Sequence, residues 1–276
     1  MIKDVRMDKL TIMGNLPIYD EIFLQELIDK HSHITVSKAM TSYVVGQFFS
    51  SSENGFYFEY DGLNSKAMNK RNFKIEFNPS KVSEEQKEFL RTEVLILLND
   101  VGFSRLDLAI DIRRDLSLFT FEIFNRKRTK IFSKTSELET MYIGSRNSRI
   151  MQRIYDKKRQ LKDVEDVDLE EPVLWRLEFE IKHYEIIDNL IEFGFENIIE
   201  NRIIKYDYEG LSAVDVIMIK SMEEFPEDFS RLSKNTKTKI RKNAKDLKGY
   251  DISEEIKSAI KEKNHSILRE LNGYRK

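Results

Sequence analysis

Two stretches alternate apolar and polar residues with a period of two: Arg105-Leu106-Asp107-Leu108-Ala109-Ile110-Asp111 and Trp175-Arg176-Leu177-Glu178-Phe179-Glu180-Ile181. No other feature constrains the fold as much, because that period belongs to a β-strand with one face in the core. Leu106, Leu108, Ile110, Leu177, Phe179 and Ile181 supply the core face. Asp107, Asp111, Glu178 and Glu180 are then expected together on the solvent side of a sheet. Between the two stretches lie strand 140–143, Gly144, the polar loop Ser145-Arg146-Asn147-Ser148-Arg149 and a further strand expected over 151–157. In that strand Tyr155 shares its side with Met151, Arg153 and Lys157.

Elsewhere the pattern gives a strand over 4–14, an amphipathic helix over 19–30, and three strands between 42 and 78 separated by polar turns. Phe73, Ile75 and Phe77 share the inner face of the last strand, so Glu76 faces outward and is a possible addition to the acid set, or an ordinary exposed glutamate. Ser83-Glu84-Glu85-Gln86 has the form of a capping box and starts a helix expected to reach Asp100, with Gly102 as its stop. Residues 163–171 read as an acidic linker and 184–201 as one or two amphipathic helices. From about 205 the chain turns to helices separated by polar turns, the closing one from Ser253 to about Gly273. The whole reads as an α+β fold, a mostly antiparallel sheet with packed helices, with a first domain over 1–204 and a helical, basic C-terminal region over 205–276.

Several function classes are excluded or disfavoured by content. The chain has no cysteine, which removes thiolate nucleophiles, thiolate metal sites and disulfides and suits a reducing cytoplasm. No apolar run approaches the roughly 20 residues that span a bilayer, so a cytoplasmic protein without a membrane partner is expected. With 46 basic and 48 acidic residues the charges nearly cancel, leaving local clusters to reveal any nucleic-acid partner. One such cluster is 231–248, with eight cations and one acid; its Lys237, Lys239, Arg241 and Lys242 suit a DNA backbone. The loop residues Arg146 and Arg149, with Lys157, Lys158 and Arg176, form a second set of candidate phosphate contacts. His31 and His33 suggest a metal pair, but a serine between them at a helix exit favours a solvated turn.

A sheet carrying four carboxylates beside a tyrosine flanked by cations resembles a metal-assisted site that attacks phosphate. With no Cys and four His, the expected ion is Mg²⁺ or Mn²⁺ held by carboxylate oxygens from among Asp107, Glu178, Asp111 and Glu180. Asp107 and Asp111 lie about 13 Å apart along an extended strand, so one ion holds both only if the strand bends, and Asp107 is the better candidate. The competing reading is a ladder of salt bridges across the sheet with a structural tyrosine.

The motifs RLDLAID, TMYIGSRNS with RIYDKK, and WRLEFEIK, in this order and spacing over about 70–185, resemble the Rep_trans replication initiators of rolling-circle plasmids from Gram-positive bacteria. The resemblance implies that Tyr155, in the family's I-Y-[ND]-K-K signature, is a nicking nucleophile, with Arg153 beside it. It also implies nicking of one strand at a double-strand origin, a 5′-phosphotyrosine link, a 3′-hydroxyl primer and later rejoining. Implied partners are plasmid origin DNA, duplex and single-stranded, a second copy in a homodimer, and a UvrD-like superfamily 1 helicase. The same motifs are similar to relaxases of integrative conjugative elements. A DNA-binding protein without enzymatic activity and a water-driven nuclease are the other classes considered.

Overall fold

The computed structural model describes residues 1–17, 26, 29, 37–40, 43–49, 55–61, 71–123 and 126–275. The His31–His33 pair lies outside these, as does nearly all of the helix expected over 19–30. In chain order the elements begin β1 (Ile2–Asn15), β2 (Ser37–Met40), β3 (Tyr43–Phe48), β4 (Phe56–Asp61), β5 (Phe73–Phe77), α1 (Glu84–Phe89) and β6 (Asn99–Ile112). They continue with β7 (Thr120–Phe121), β8 (Arg128–Phe132), β9 (Leu138–Ile143), β10 (Ile150–Asp156), α2 (Lys157–Glu165), β11 (Trp175–Ile181) and α3 (Tyr184–Phe193). The last are β12 (Ile203–Tyr206), α4 (Ala213–Glu224), α5 (Pro226–Ser230), α6 (Lys234–Asp246), β13 (Gly249–Asp251) and α7 (Ser253–Asn272).

Among the described residues ten strands form one sheet in the order β2-β3-β4-β5-β1-β6-β11-β10-β9-β8, and its pairings are antiparallel. The mostly antiparallel α+β architecture expected from the alternation is therefore what forms. β1 and β6 are the two longest strands and lie at its centre, their apolar faces supplying Leu10, Ile12, Leu106, Leu108 and Ile110 to the core. Helix α3 packs against β6.

Ser83 caps α1 through the expected reciprocal bonds with Gln86. The α-helical part is shorter than the sequence suggested. It passes into a π turn over Leu90–Val94 and a 3₁₀ turn over Leu95–Leu97, after which Leu98 is extended. Asp100 then takes a left-handed φ of 52° as the chain enters β6. Gly102 lies inside that strand, where an added Cβ would come within 2.7 Å of the Arg71 guanidinium. Its role is close approach, with Arg71 held by both oxygens of Asp100 at 3.0 Å, and not termination of a helix.

The chain divides into two compact units, and the division is not a single cut near residue 204. The first contains 1–116, 125–198 and 255–276; the second contains 117–124 and 199–254. The closing helix belongs with the first for a physical reason: Ile256, Ile260, Ile267 and Leu271 are buried, and Tyr274 packs edge to face on Phe77 at 5.6 Å. The second unit has a three-stranded sheet, β13-β12-β7, and a small core of Ile219, Phe229 and Ile240 from α4, α5 and α6. Among the described residues no helix is long and apolar enough to cross a membrane.

Candidate active site

Cross-strand register assembles the polar face of the large sheet row by row. Thr140, Tyr155, Arg176, Asp111 and Asp4 form one row across β9, β10, β11, β6 and β1. Tyr142, Arg153, Glu178, Ala109 and Arg6 form the next, and Met151, Glu180, Asp107 and Lys9 the third. The alternation read from β6 and β11 thus does bring Tyr155, Arg153, Asp107, Asp111, Glu178 and Glu180 to one face.

That face is not solvated, contrary to expectation. Asp107, Asp111, Arg176 and Glu178 are 3, 4, 2 and 7% exposed, and Tyr155 is 4% exposed. The guanidiniums that neutralise the acids also cover them. Asp111 is held by both ends of Arg176 at 2.6 and 2.9 Å and by Arg6 at 3.2 Å. Asp107 is held by both ends of Arg105 at 2.7 and 2.6 Å, and Glu180 takes Arg105 at 3.1 Å and Lys182 at 2.7 Å. Among the described residues no three Asp, Glu or His side chains converge as a metal cluster. The four expected ligands therefore do not stand as one set: Asp107, Asp111 and Glu180 are each committed to cations of the protein. Glu76, the possible fifth, pairs with Lys9 at 2.5 Å and accepts from Thr11.

Arg176 also departs from its expected role. Its guanidinium is buried between Asp111 and Asp8, the latter at 3.0 Å, so it braces the sheet and is not an exposed phosphate contact. Burial opposes its charge, but the bonds to Asp111 more than compensate and hold its pKa above the ordinary arginine value. Asp8 was not singled out from sequence. Its signal is the run Met7-Asp8-Lys9-Leu10, where two polar residues separate apolar ones; β1 and β6 shift register there, between Met7 and Lys9. This β-bulge re-aims the Asp8 carboxylate.

Glu178 differs from its neighbours. Its recorded partner is the Tyr155 hydroxyl, which donates to Oε2 over a long 3.4 Å. Burial, then the nearby Asp107 charge, pushes the Glu178 carboxyl up to about 7, against the pull of Arg153. Asp107 is also raised by burial, with Arg105 opposing. The phenol of Tyr155 is raised by burial and by Glu178, while Arg176 and Arg153 favour its ionised form. Arg153 lies over the Tyr155 ring with its guanidinium carbon 4.2 Å from the ring centre, a cation–π arrangement. Among the described residues its buried Nε has no hydrogen-bond partner. Asp8, Asp107, Arg153, Tyr155, Arg176 and Glu178 help to line a cleft of about 730 Å³.

Around the cleft, Lys157 is the first residue of α2 and not the last of the strand, because Asp156 caps the helix by accepting from Arg159. The lysine donates to Gln160 at 2.6 Å, and burial, then Arg176, lower its pKa. Lys158 donates to the Glu171 carbonyl. Arg146 and Arg149 are exposed on the β9–β10 loop. There Gly144 adopts a φ of 102°, and Lys182 ties the loop down through the Arg146 and Arg149 carbonyls. In the second unit the basic run forms α6, capped by Ser233. Lys237 donates to the Ser230 carbonyl, Lys239 pairs with Asp215, Arg241 covers Phe229, and Lys242 is exposed.

A phenol, two guanidiniums and buried acids on an antiparallel sheet define a site suited to phosphoryl chemistry. Comparison with known proteins extends this. Residues 9–98 match the family model for the N-terminal part of replication initiation proteins, and residues 101–249 match the Rep_trans model, described as replication initiation factor. This chain belongs to the Rep_trans family, as its three motifs suggested. Two relatives from Staphylococcus aureus, each called a replication initiation protein, are 28% and 27% identical over 266 and 267 residues, spanning 96% of this chain and 82% of each relative. A solved structure of a rolling circle replication initiator protein from Geobacillus stearothermophilus aligns with a TM-score of 0.44 and 17% identity, over 76% of this chain and 89% of that one.

Proposed function

We propose that this chain initiates rolling-circle replication of a plasmid by nicking one strand of its origin, with Tyr155 as the nucleophile. The observation that carries the reading is the Tyr155 hydroxyl meeting Glu178, the acid of this face with no ion pair among the described residues, at a cleft. A phenol is a weak nucleophile at neutral pH until its proton is taken and its oxyanion stabilised. Glu178 Oε2 is placed to take the proton, and Arg153 and Arg176 stabilise the phenolate. The oxygen then attacks phosphorus; a phosphotyrosine bond forms to the 5′ side, the P–O3′ bond breaks, and the 3′ oxygen leaves as a hydroxyl, taking the proton that Glu178 removed from Tyr155. Reversal of these steps rejoins the strand without an outside energy source. The unpartnered Nε of Arg153 is a donor free for a phosphate oxygen, whose charge grows during attack.

The donor chemistry fits a hard divalent ion: Asp107 and Glu178 are neighbouring carboxylates with oxygen ligands suited to Mg²⁺ or Mn²⁺. Such an ion, when bound, would supply positive charge to the scissile phosphate. Asp111 and Glu180 are weaker candidates because each is paired with two cations, Arg176 with Arg6 and Arg105 with Lys182, whereas the ion pair of Asp107 is with Arg105. Arg146, Arg149, Lys157 and Lys158 would hold the strand near the cleft, and Lys237, Lys239, Arg241 and Lys242 of α6 the duplex backbone. The homodimer, the UvrD-like helicase and the cytoplasmic setting follow from the family reading.

The test is incubation with supercoiled origin plasmid and Mg²⁺, followed by electrophoresis with and without protease. Wild type should yield nicked DNA carrying protein, and Tyr155→Phe should bind without forming the adduct. An adduct from the phenylalanine variant would overturn the nucleophile assignment. Nicking without any adduct would point to a water-driven nuclease, and binding without nicking to a non-enzymatic protein.

A further inference from the structure

Arg105 is placed where a cation would compete. Its guanidinium grips both oxygens of Asp107 and reaches Glu180 as well, so one side chain neutralises a buried acid and a half-buried one. Two further facts make this a switchable arrangement and not a permanent brace. Arg105 keeps 26% of its side chain exposed, whereas Arg176 is 2% exposed between its acids; a short movement returns the Arg105 guanidinium to water. Glu180 also has a second cation in Lys182, so it is not left unpaired when Arg105 moves.

We propose that Arg105 is a built-in counter-ion that a divalent cation must displace from Asp107, and that the displaced guanidinium then contacts the DNA backbone. The inference rests on the reading of Asp107 and Glu178 as cation ligands. A group that competes with the ion in the free protein and binds phosphate after displacement makes the ion and DNA strengthen each other's binding, by the same factor in both directions. It also limits cation binding to the free enzyme, so the charged site is completed when DNA is present.

The experiment titrates Mn²⁺ alone, read by electron paramagnetic resonance, into wild type, Arg105→Gln and Asp107→Asn. Circular dichroism checks that each variant is folded. A second arm measures affinity for a single-stranded oligonucleotide by fluorescence anisotropy in a Tyr155→Phe background, with and without Mn²⁺. Arg105→Gln should bind Mn²⁺ about tenfold more tightly than wild type, Asp107→Asn should lose binding, and the enhancement of DNA affinity by Mn²⁺ should shrink at least threefold when Arg105 is absent. Equal or weaker Mn²⁺ binding by Arg105→Gln, or an undiminished enhancement, overturns the role of Arg105. Failure of every protein to bind Mn²⁺, or full binding by Asp107→Asn, overturns the underlying assignment of the ligands.

Discussion

Two tyrosines in the first unit are built from the same parts and sit in different surroundings. Tyr155 has its hydroxyl 3.4 Å from Glu178 and Arg153 over its ring. Tyr274 has its hydroxyl 3.4 Å from Glu270 and Arg91 over its ring at 5.2 Å. Both are nearly inaccessible, and burial pushes both phenols above their usual range. The difference is in the acid and the surroundings. Glu270 is tied to Lys87 at 2.7 Å, and Tyr274 packs on Phe77. Glu178 has no ion pair among the described residues, and Tyr155 borders a cleft. A tyrosine with a carboxylate and a guanidinium is therefore not distinctive in itself; what sets the proposed site apart is an acid with no ion pair among the described residues, beside a cleft.

The largest effect should separate the two phenols outright. Tyr155→Phe should abolish the covalent adduct, at least a thousandfold loss in nicking, while Tyr274→Phe leaves nicking within about twofold, as measured on supercoiled origin plasmid. Comparable losses in both variants would break the distinction.

The next effect concerns the buried cation behind Tyr155. Arg176→Ala leaves Asp111 and Asp8 without their main partner and should destabilise by about 3–5 kcal/mol, the range for stranding a buried charge. Lys87→Ala should do less, because Glu270 is partly open to water. Denaturant unfolding of both variants gives the ranking.

Glu178 gives the contrast a pH signature. Its carboxyl rises from an ordinary 4.5 to about 7 on folding. A raised acid contributes full stability below its unfolded pKa and loses it as pH climbs through the folded one. At about 1.4 kcal/mol per pH unit, the ion-free protein should lose about 3 kcal/mol at most between pH 4.5 and 8 through this group. Glu178→Gln should remove that loss, so its stability relative to wild type should improve as pH rises; an unchanged difference across this window would show that the carboxyl titrates normally. Smallest of the series, Tyr274→Phe should lose about 1 kcal/mol or less, the worth of one long hydrogen bond, in the same unfolding assay.

The sequence was informative about faces and poor about partners. Period-two alternation in β6 and β11 was enough to place Asp107, Asp111, Glu178 and Glu180 on one side, and the same counting put Tyr155 beside Arg153. It could not say which guanidinium takes which acid. That depends on strand order and register: Asp8 and Arg176 are 168 residues apart in the chain and meet because β1 and β11 flank β6 with a bulge between Met7 and Lys9. Burial of the polar face follows from those pairings, so Asp111 and Arg176 were misread as exposed groups. Local boundaries failed where one side chain decides, as with Asp156, whose cap ends β10 and moves Lys157 onto a helix.

The central claim is that the Tyr155 oxygen forms the bond to DNA. Mass spectrometry of a tryptic digest, after reaction with an origin oligonucleotide and nuclease trimming, tests it most directly. The account predicts a nucleotide mass on the peptide containing Tyr155, with fragmentation locating it at that residue. The same mass on a peptide containing Tyr142, Tyr274 or any other residue, with Tyr155 unmodified, would contradict it.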